Sequence, residues 1–415
     1  MWAGIKREIH LFLDATEKGN EKFYLVLFTL FVISHVVLLM GWKSSLNSNV
    51  WQMHHILFAI VMWGSAVYLF SVLADWRKAW NRTGEMIVIG VIVFMITAAI
   101  SRIVTTDSYT LVMGLFFCLM AAGKNYKRLL LTLLILFVAT ILFGLLGMQI
   151  GITVDAMKPN RLIGGHSLGI IYPNHWGSFA FAILILIWYL FLQNRRILSF
   201  IIFWGTAVFM YKYITCYTIA GMAILFPVLG LAAELLQQKK AETVSSDKKA
   251  LSIIVISLPF IFMAVMLILC WQMDWIHDTF YETPLRSFAM RFVEGGYSLM
   301  RNGVSLFGHP FEQWDASLVS YSNEIELIVD SAYICYLIIR GIVAMILTLG
   351  WISFAHYRCL KKNDYRLIVI SFFMLLFSMM ERPGLDAWFN FVMLYPLTSL
   401  TTDKGMSESD LGITQ

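Results

Sequence analysis

The sequence predicts an all-α polytopic membrane protein. Of its 415 residues, 59% are hydrophobic and only 14% are charged, and the mean hydropathy of +0.73 is far above that of a soluble domain. Apolar runs of about 20 residues recur along the chain, and each is long enough to cross a hydrocarbon core of roughly 30 Å as a helix. Segments of alternating polarity are missing from the sequence, which argues against a transmembrane barrel.

About twelve helices are expected to cross the membrane, within a single membrane domain over residues 1–415. The first run lacks a small-residue cleavage site and many more runs follow it, so we do not expect a removed signal peptide. The last run, LDAWFNFVMLYPLTSL, leaves an interfacial or re-entrant segment as an alternative. The predicted spans are 23–41, 54–74, 85–103, 109–123, 128–148, 176–193, 197–211, 216–236, 250–271, 332–355, 366–380 and 386–400.

The distribution of basic residues predicts the orientation. With the N-terminus in the cytoplasm, roughly two thirds of the 31 lysine and arginine residues fall on the cytoplasmic side, the bias typical of inner loops. Both termini are then cytoplasmic. Two sizeable segments lie outside, the shorter at 149–175 and the longer at 272–331. The net charge of +5 follows from the inner loops, so no nucleic-acid partner is expected.

Motifs of soluble enzymes are missing from the chain. There is no phosphate-binding glycine loop, dinucleotide fingerprint, HExxH or GxSxG motif, and no DxD pair to hold a metal on a nucleotide sugar. We therefore expect no metal and no cofactor. His54 and His55 are interpreted as structural, and the five cysteines as structural thiols. Acidic residues are rare at the centres of the spans, which weakens an ion-coupled transporter as an interpretation.

A polar segment, RLIGGHSLGIIYPNHWG, separates two apolar spans between Arg161 and Gly177. Its glycines permit close approach of the backbone, and Pro173 precedes the next span, so a structured turn at the membrane surface is predicted. Asn174 and the two histidines, His166 and His175, are able to bind hydroxyl groups or move protons. A connector with solvated histidines is the alternative.

The long outer segment 272–331 combines arginines with many acidic and aromatic residues. Surface salt bridges would account for the arginines, but a guanidinium also suits a diphosphate. After this segment, Asp330, Tyr333, Tyr336 and Arg340 form a polar stripe on an apolar helix. Arg340 is expected either to be paired structurally or to line a cavity that holds an anion.

The order of these features resembles the bacterial Wzy-type polysaccharide polymerases, which are related to the O-antigen ligases. That family has about a dozen spans, a pattern R-x-S-L-G-x-x-H-P-N-x-x-G before a middle span, a long outer loop with an arginine, F-G, and D-N-x-Y at the start of the next span. The matching stretches here are GHSLGIIYPNHWG, TPLRSFAMRF, LFGHP and VDSAY.

The chain departs from the family pattern at single positions. Gly165 stands where the family has arginine, with Arg161 four residues upstream, and Tyr172 stands in place of the histidine before Pro-Asn. The serine and arginine of the family between the seventh and eighth spans are Cys216 and Tyr217 here, with Lys212 nearby, and Ser331 replaces the asparagine.

The resemblance implies a membrane glycosyltransferase of the C type in the bacterial cytoplasmic membrane. Its donor and its acceptor would be oligosaccharide repeat units linked to undecaprenyl diphosphate, and a flippase and a chain-length regulator would be its protein partners. An O-antigen ligase and a transporter of lipid-linked sugar are the alternatives. We expect His166 or His175 to be the base that activates the acceptor, with Asp330 as a second candidate. The residues expected to bind the substrate are Arg161, Asn174, Arg286, Arg291, His309, Tyr333 and Arg340.

Overall fold

A computed structural model describes residues 20–77, 108–155, 165–192, 195–239, 248–283, 286–309 and 330–398. The described residues are helical, with isolated β-bridges and no strand. Eight of the described helices are long and apolar enough to cross a membrane, so the prediction of a polytopic all-α membrane protein is confirmed at that level. The predicted span at 85–103 lies outside the described residues, and the larger number of spans stays a prediction.

The chain divides into two compact units. Unit 1 contains residues 1–89, 116–238 and 397–415, and unit 2 contains residues 90–115 and 239–396. Helix α3 (Ser108–Met120) is divided between them. The single membrane domain over residues 1–415 stays a prediction.

Unit 1 is built from apolar helices, of which α1 and α4 begin at an asparagine cap. Its other helices are α1 (Glu21–Leu38), α2 (Asn47–Arg77), α4 (Tyr126–Gln149), α5 (Pro173–Phe191), α6 (Arg196–Phe209) with a π-helical turn over Met210–Ile214, and α7 (Tyr217–Lys239). The side chain of Asn20 accepts a hydrogen bond from the N–H of Phe23, and Asn125 does the same for Arg128. These bonds satisfy N–H groups that the first turn of a helix leaves unpaired.

An aromatic cluster forms the core beside α1. Tyr24, Phe28 and Phe31 are spaced to lie on one helix face, and all three rings contact Phe117 at centroid distances of 4.9 to 5.8 Å. The hydroxyl of Tyr24 donates to the carbonyl of Phe117 at 2.9 Å. On α2, by contrast, Trp63 is 76% exposed, as expected for a side chain that faces lipid.

Unit 2 contains α8 (Lys248–Trp271), α9 (Met273–Phe280), α10 (Arg286–Asn302), α11 (Ala332–Cys335) with a π-helical turn over Tyr336–Arg340, α12 (Gly341–Lys361) and α13 (Tyr365–Met380). The short helices α9 and α10 lie within the predicted outer segment 272–331. Gly295 and Gly296 of α10 pack against Cys270 at the end of α8, where a Cβ atom on either glycine would crowd the cysteine. This close contact holds α10 against the end of α8, which corresponds to a predicted span.

The predicted last span, 386–400, is not a continuous helix. Its described part, up to residue 398, has a 3-10 turn over Phe391–Leu397, which follows another over Arg382–Leu385. Pro396 removes an N–H from any regular helix here, and the side chain of Asn390 donates to the carbonyl of Gly384 at 2.8 Å. The described residues of this segment are almost wholly buried.

A break in the helix separates α11 and its π-helical turn from α12. Gly341 has φ +82°, a conformation that favours glycine. Residues 305–309 bind the main chain on both sides of the break. The N–H of His309 donates to the carbonyl of Ile338, and the N–H of Ile342 donates to the carbonyl of Ser305, both at 3.1 Å. The preceding segment thus satisfies polar groups that the break would leave unpaired.

Candidate functional site

Three connecting segments of unit 1 meet at one end of its helices and hold the polar segment in place. The carbonyl of Gly169 accepts from the N–H of Gly41 at 2.9 Å, and the N–H of Ile171 donates to the carbonyl of Leu39 at 2.8 Å. The N–H of Val154 donates to the carbonyl of Gly41 at 2.7 Å. The predicted structured turn is therefore present over the described residues 165–177. Arg161 lies outside the described residues.

Two glycines make this turn possible. Gly169 has φ +82°, and a Cβ atom on it would collide with the backbone of Gly144 in α4. A Cβ atom on Gly144 would in turn lie 3.0 Å from the carbonyl oxygen of Leu168. The turn is thus packed directly on the helix backbone, which fixes the residues on either side of it.

A carboxylate and an imidazole form the centre of this cluster. Oδ2 of Asp155 lies 2.6 Å from Nδ1 of His166, a distance typical of a strong hydrogen bond. We call these two residues the dyad. Oδ1 of Asp155 accepts the backbone N–H groups of Ser167 at 2.7 Å and of Leu168 at 3.0 Å. The side chains of His166 and Asp155 are 39% and 28% exposed, so the imidazole is fixed but still reaches solvent.

The pKa of Asp155 is lowered from its ordinary value. Partial burial would raise it, but the hydrogen bonds from His166, Leu168 and Ser167 outweigh burial because they stabilise the charged carboxylate. An ionised carboxylate at neutral pH follows. Sequence analysis did not select Asp155, because nothing in the sequence indicates that this residue, eleven positions upstream, returns to His166.

The second histidine of the segment has a different setting. His175 lies in the first turn of α5, and its ring is 5.7 Å from the ring of Tyr172. Its neighbour Asn174 lies beside Cys216, whose thiol donates to the carbonyl of Pro173 at 2.9 Å and to Oδ1 of Asn174 at 3.6 Å. The ring of His175 thus contacts an aromatic side chain, whereas the ring of His166 contacts the carboxylate of Asp155.

The π-helical turn after α6 contacts the dyad through its backbone. The N–H of His166 donates to the carbonyl of Tyr213 at 3.1 Å, and Tyr213 follows the exposed Lys212 in the π-helical turn. Thr215, next to Cys216, has φ +59°. A β-branched residue rarely adopts this conformation, so the backbone is strained where it supports the segment.

In unit 2, Arg291 is surrounded by carboxylates. Its guanidinium forms an ion pair with Asp330 and lies 3.9 Å from both Glu294 and Glu381. The side chain of Arg291 is 15% exposed. A phosphate would have to compete with these three carboxylates for the guanidinium, and Asp330 is its closest partner.

Arg340 is also paired within unit 2. Its Nη1 atom donates to Oδ1 of Asp386 at 2.9 Å, and its guanidinium stacks 3.8 Å from the ring centre of Tyr336, whose hydroxyl donates to the same carboxylate oxygen at 2.6 Å. Arg340 is therefore paired with a carboxylate within unit 2. Tyr333 is fully buried, and its hydroxyl donates to the carbonyl of Leu375 at 3.4 Å.

Two further predicted residues lie at the surface or at the helix break. Arg286 begins α10, is exposed, and stacks 3.8 Å from the ring centre of Tyr281. This arrangement leaves the polar edge of the guanidinium accessible to an anion. His309 is partly exposed, and its backbone N–H donates to the carbonyl of Ile338 beside the helix break. Its neighbour Gly308 has φ +77° and packs directly on the backbone of Ile339.

His54 and the cysteines lie in buried surroundings. Nδ1 of His54 lies 2.7 Å from the carbonyl oxygen of Ser34, and all five cysteines are buried and form no disulfide bond. Within the described ranges, no group of three or more histidine, cysteine, aspartate or glutamate residues is arranged to hold a metal ion.

The fold and these clusters define a multi-pass helical membrane protein with ordered polar groups at the ends of its helices. No family model, curated protein or solved structure matches this chain. The resemblance to the Wzy-type polymerases therefore depends on the sequence motifs alone.

Proposed function

We propose that this protein is a membrane glycosyltransferase that joins repeat units linked to undecaprenyl diphosphate into a surface polysaccharide. The reaction would take place at the outer face of the bacterial cytoplasmic membrane, with both termini in the cytoplasm. The resemblance in motif order supports the reaction class. The observation that carries the proposal is the dyad, because it holds a partly exposed imidazole at the end of a bundle of apolar helices, where the polar head of a lipid-linked substrate would lie.

The chemistry needs a base and positive charge. The acceptor hydroxyl oxygen attacks the anomeric carbon of the donor, the bond from that carbon to the diphosphate oxygen breaks, and the lipid diphosphate leaves with the electron pair. His166 takes the proton of the hydroxyl in this scheme. A diphosphate leaving group needs no nucleotide pocket, and cationic side chains neutralise its developing charge.

Neutralising the charge of the diphosphate requires an accessible cation, so exposed basic side chains fit this role better than paired ones. Arg286 and Lys212 are exposed, whereas Arg291 and Arg340 are held by carboxylates. We therefore name Lys212 and Arg161 as the candidates for diphosphate binding in unit 1 and Arg286 as a separate candidate in unit 2, and we assign a structural role to Arg291 and Arg340. Asn174 and His309 remain candidates for contacts with sugar hydroxyls. A flippase and a chain-length regulator are the proposed partners.

The test is deletion of the gene in its own host, followed by size analysis of lipid-linked glycans and surface polysaccharide. Loss of long chains, with single repeat units still made and exported, is expected. Complementation with wild-type protein should restore the chains, and complementation with Arg286→Ala should not. Accumulation of long lipid-linked chains would indicate a ligase, and repeat units retained on the inner face would indicate a transporter. Unchanged polymer in a strain without a second copy would overturn the proposal.

A further inference from the structure

The dyad contains a residue to which the proposed reaction assigns no role. Asp155 lies 2.6 Å from His166 through Oδ2, and its other oxygen accepts two backbone N–H groups from Ser167 and Leu168. Both oxygens of the carboxylate are thus committed, each to a different partner. The carboxylate cannot rotate without losing these hydrogen bonds.

The carboxylate of Asp155 determines which nitrogen of His166 carries the proton in the neutral ring. A carboxylate only accepts hydrogen bonds, so the 2.6 Å contact requires a proton on Nδ1. The neutral imidazole then has its lone pair on Nε2, on the opposite side of the ring from Asp155. Because the His166 side chain is 39% exposed, this lone pair has access to solvent or to a substrate.

We propose that Asp155 is a positioning residue that fixes the Nδ1–H tautomer of His166 and so presents the unprotonated Nε2 as the base. The role as a base for the acceptor rests on the proposed function, whereas the tautomer follows from the geometry of the dyad alone. Asp155 acts through His166 and does not itself contact the reacting atoms.

The substitution Asp155→Asn tests the tautomer, because backbone hydrogen bonds determine the orientation of the asparagine amide. The N–H groups of Ser167 and Leu168 require an oxygen at the position of Oδ1, so the NH2 group of the asparagine must face Nδ1 of His166. An NH2 group only donates, so Nδ1 has to accept and the proton of the ring moves to Nε2. The exposed nitrogen then loses its lone pair while the size of the side chain is unchanged.

The measurement uses full-length protein in detergent and the histidine reagent diethyl pyrocarbonate, which attacks an unprotonated ring nitrogen. Mass spectrometry of peptides gives the modification rate of each histidine. We expect Asp155→Asn to slow the modification of His166 about tenfold or more, because a ring nitrogen that carries a proton has no lone pair to react. An unchanged rate in a folded variant would overturn the proposal.

The chain contains a matched control. His277 and Asp278 are also a histidine–aspartate pair, but their contact is 3.3 Å long and the aspartate is 83% exposed. The substitution Asp278→Asn should change the rate at His277 by less than about twofold, since this pair is solvated. Thermal unfolding in detergent reports whether Asp155→Asn is folded.

A second measurement on the unaltered protein covers the case in which Asp155→Asn does not fold. Solid-state NMR of protein with ring 15N-labelled histidine, compared with His166→Gln to assign the signal, should show a protonated Nδ1 for His166. A neutral ring protonated at Nε2 would overturn the tautomer assignment. Polymer synthesis by Asp155→Asn distinguishes this proposal from the proposed function. If His166 is modified slowly while full-length polymer is still made, the tautomer assignment is supported and the role of His166 as the base is refuted.

Discussion

A carboxylate holds an imidazole in unit 1, whereas carboxylates hold arginines in unit 2. In the dyad, the His166 side chain keeps 39% of its surface exposed although Asp155 binds it. The side chains of Arg291 and Arg340 are 15% and 8% exposed, and their guanidinium groups face carboxylates. A carboxylate that leaves its partner accessible orients it for chemistry, whereas one that encloses its partner contributes to the structure. Accessibility, more than the type of residue, thus separates the candidates for function from the candidates for stability.

The largest effect is expected for His166→Ala. Removal of a general base lowers a rate by about 100-fold to 10,000-fold, so long polymer should disappear. The protein should still insert and remain folded, because the His166 side chain is partly exposed. His175→Ala is the matched substitution in the same segment and should retain polymer. Equal loss of polymer in both variants, with equal amounts of protein in the membrane, would contradict the assignment of His166 as the base.

Arg291→Met should give the opposite result, a loss of stability. The substitution leaves Asp330, Glu294 and Glu381 together without their shared cation, and breaking such a partly buried pair costs about 3 kcal/mol. A lower melting temperature in detergent is the expected result.

Arg286→Met is the control for this prediction, because Arg286 is exposed on the same helix. It should change the free energy of unfolding by less than about 0.5 kcal/mol. If the two variants melt at the same temperature, the division into structural and accessible arginines is wrong.

Gly308→Ala should destabilise unit 2 by about 2 kcal/mol, because a side chain at positive φ is strained and the new Cβ atom would strike the backbone of Ile339. Gly303→Ala is the control that has the backbone strain of a positive φ without a steric contact of the new Cβ atom. Gly303 has φ +70°, but a Cβ atom on it would meet nothing within 4 Å, so a cost of about 1 kcal/mol is expected. Thermal unfolding of the two variants in detergent measures the difference, and equal costs would refute the packing argument.

The smallest effect concerns acid stability. The pKa of Asp155 is lower in the folded protein than in the unfolded chain, so its charge stabilises the fold at any pH above the unfolded value of about 3.9. This contribution is lost as the pH falls through the lower folded pKa. The stability of the wild type relative to Asp155→Asn should therefore decline below about pH 4, and by a small amount, since solvent screens the dyad. A difference that is constant from neutral to acidic pH would contradict this expectation.

Sequence periodicity and hydropathy predicted much of the helical fold, because these patterns are local. The predicted spans at 23–41, 128–148 and 250–271 correspond to α1, α4 and α8 with small differences at the ends. The last predicted span, 386–400, contains a 3-10 turn over Phe391–Leu397 in its described part, and hydropathy could not reveal it because hydropathy records composition and not backbone hydrogen bonding. Whether this segment crosses the membrane stays a prediction.

The site was predicted only in part, because its partners are distant in sequence. The sequence selected His166 and Arg340 as polar residues in apolar surroundings. It did not provide Asp155 as the partner of His166, or Asp386 as the partner of Arg340, which lies 46 residues away. The glycines of the polar segment predicted a tight turn, but its contact with Gly144 depends on how the helices pack.

The break before α12 has a consequence for how the protein is made. The main chain of Ser305, Leu306 and His309 bonds to residues 338–343, which leave the ribosome later. Until those residues are synthesised and inserted, the earlier segment has only water as a partner. These hydrogen bonds of unit 2 thus form only after its later residues have been synthesised. A chain that terminates near residue 330 should insert its preceding helices and yet expose residues 305–309 to proteases in the membrane's aqueous surroundings.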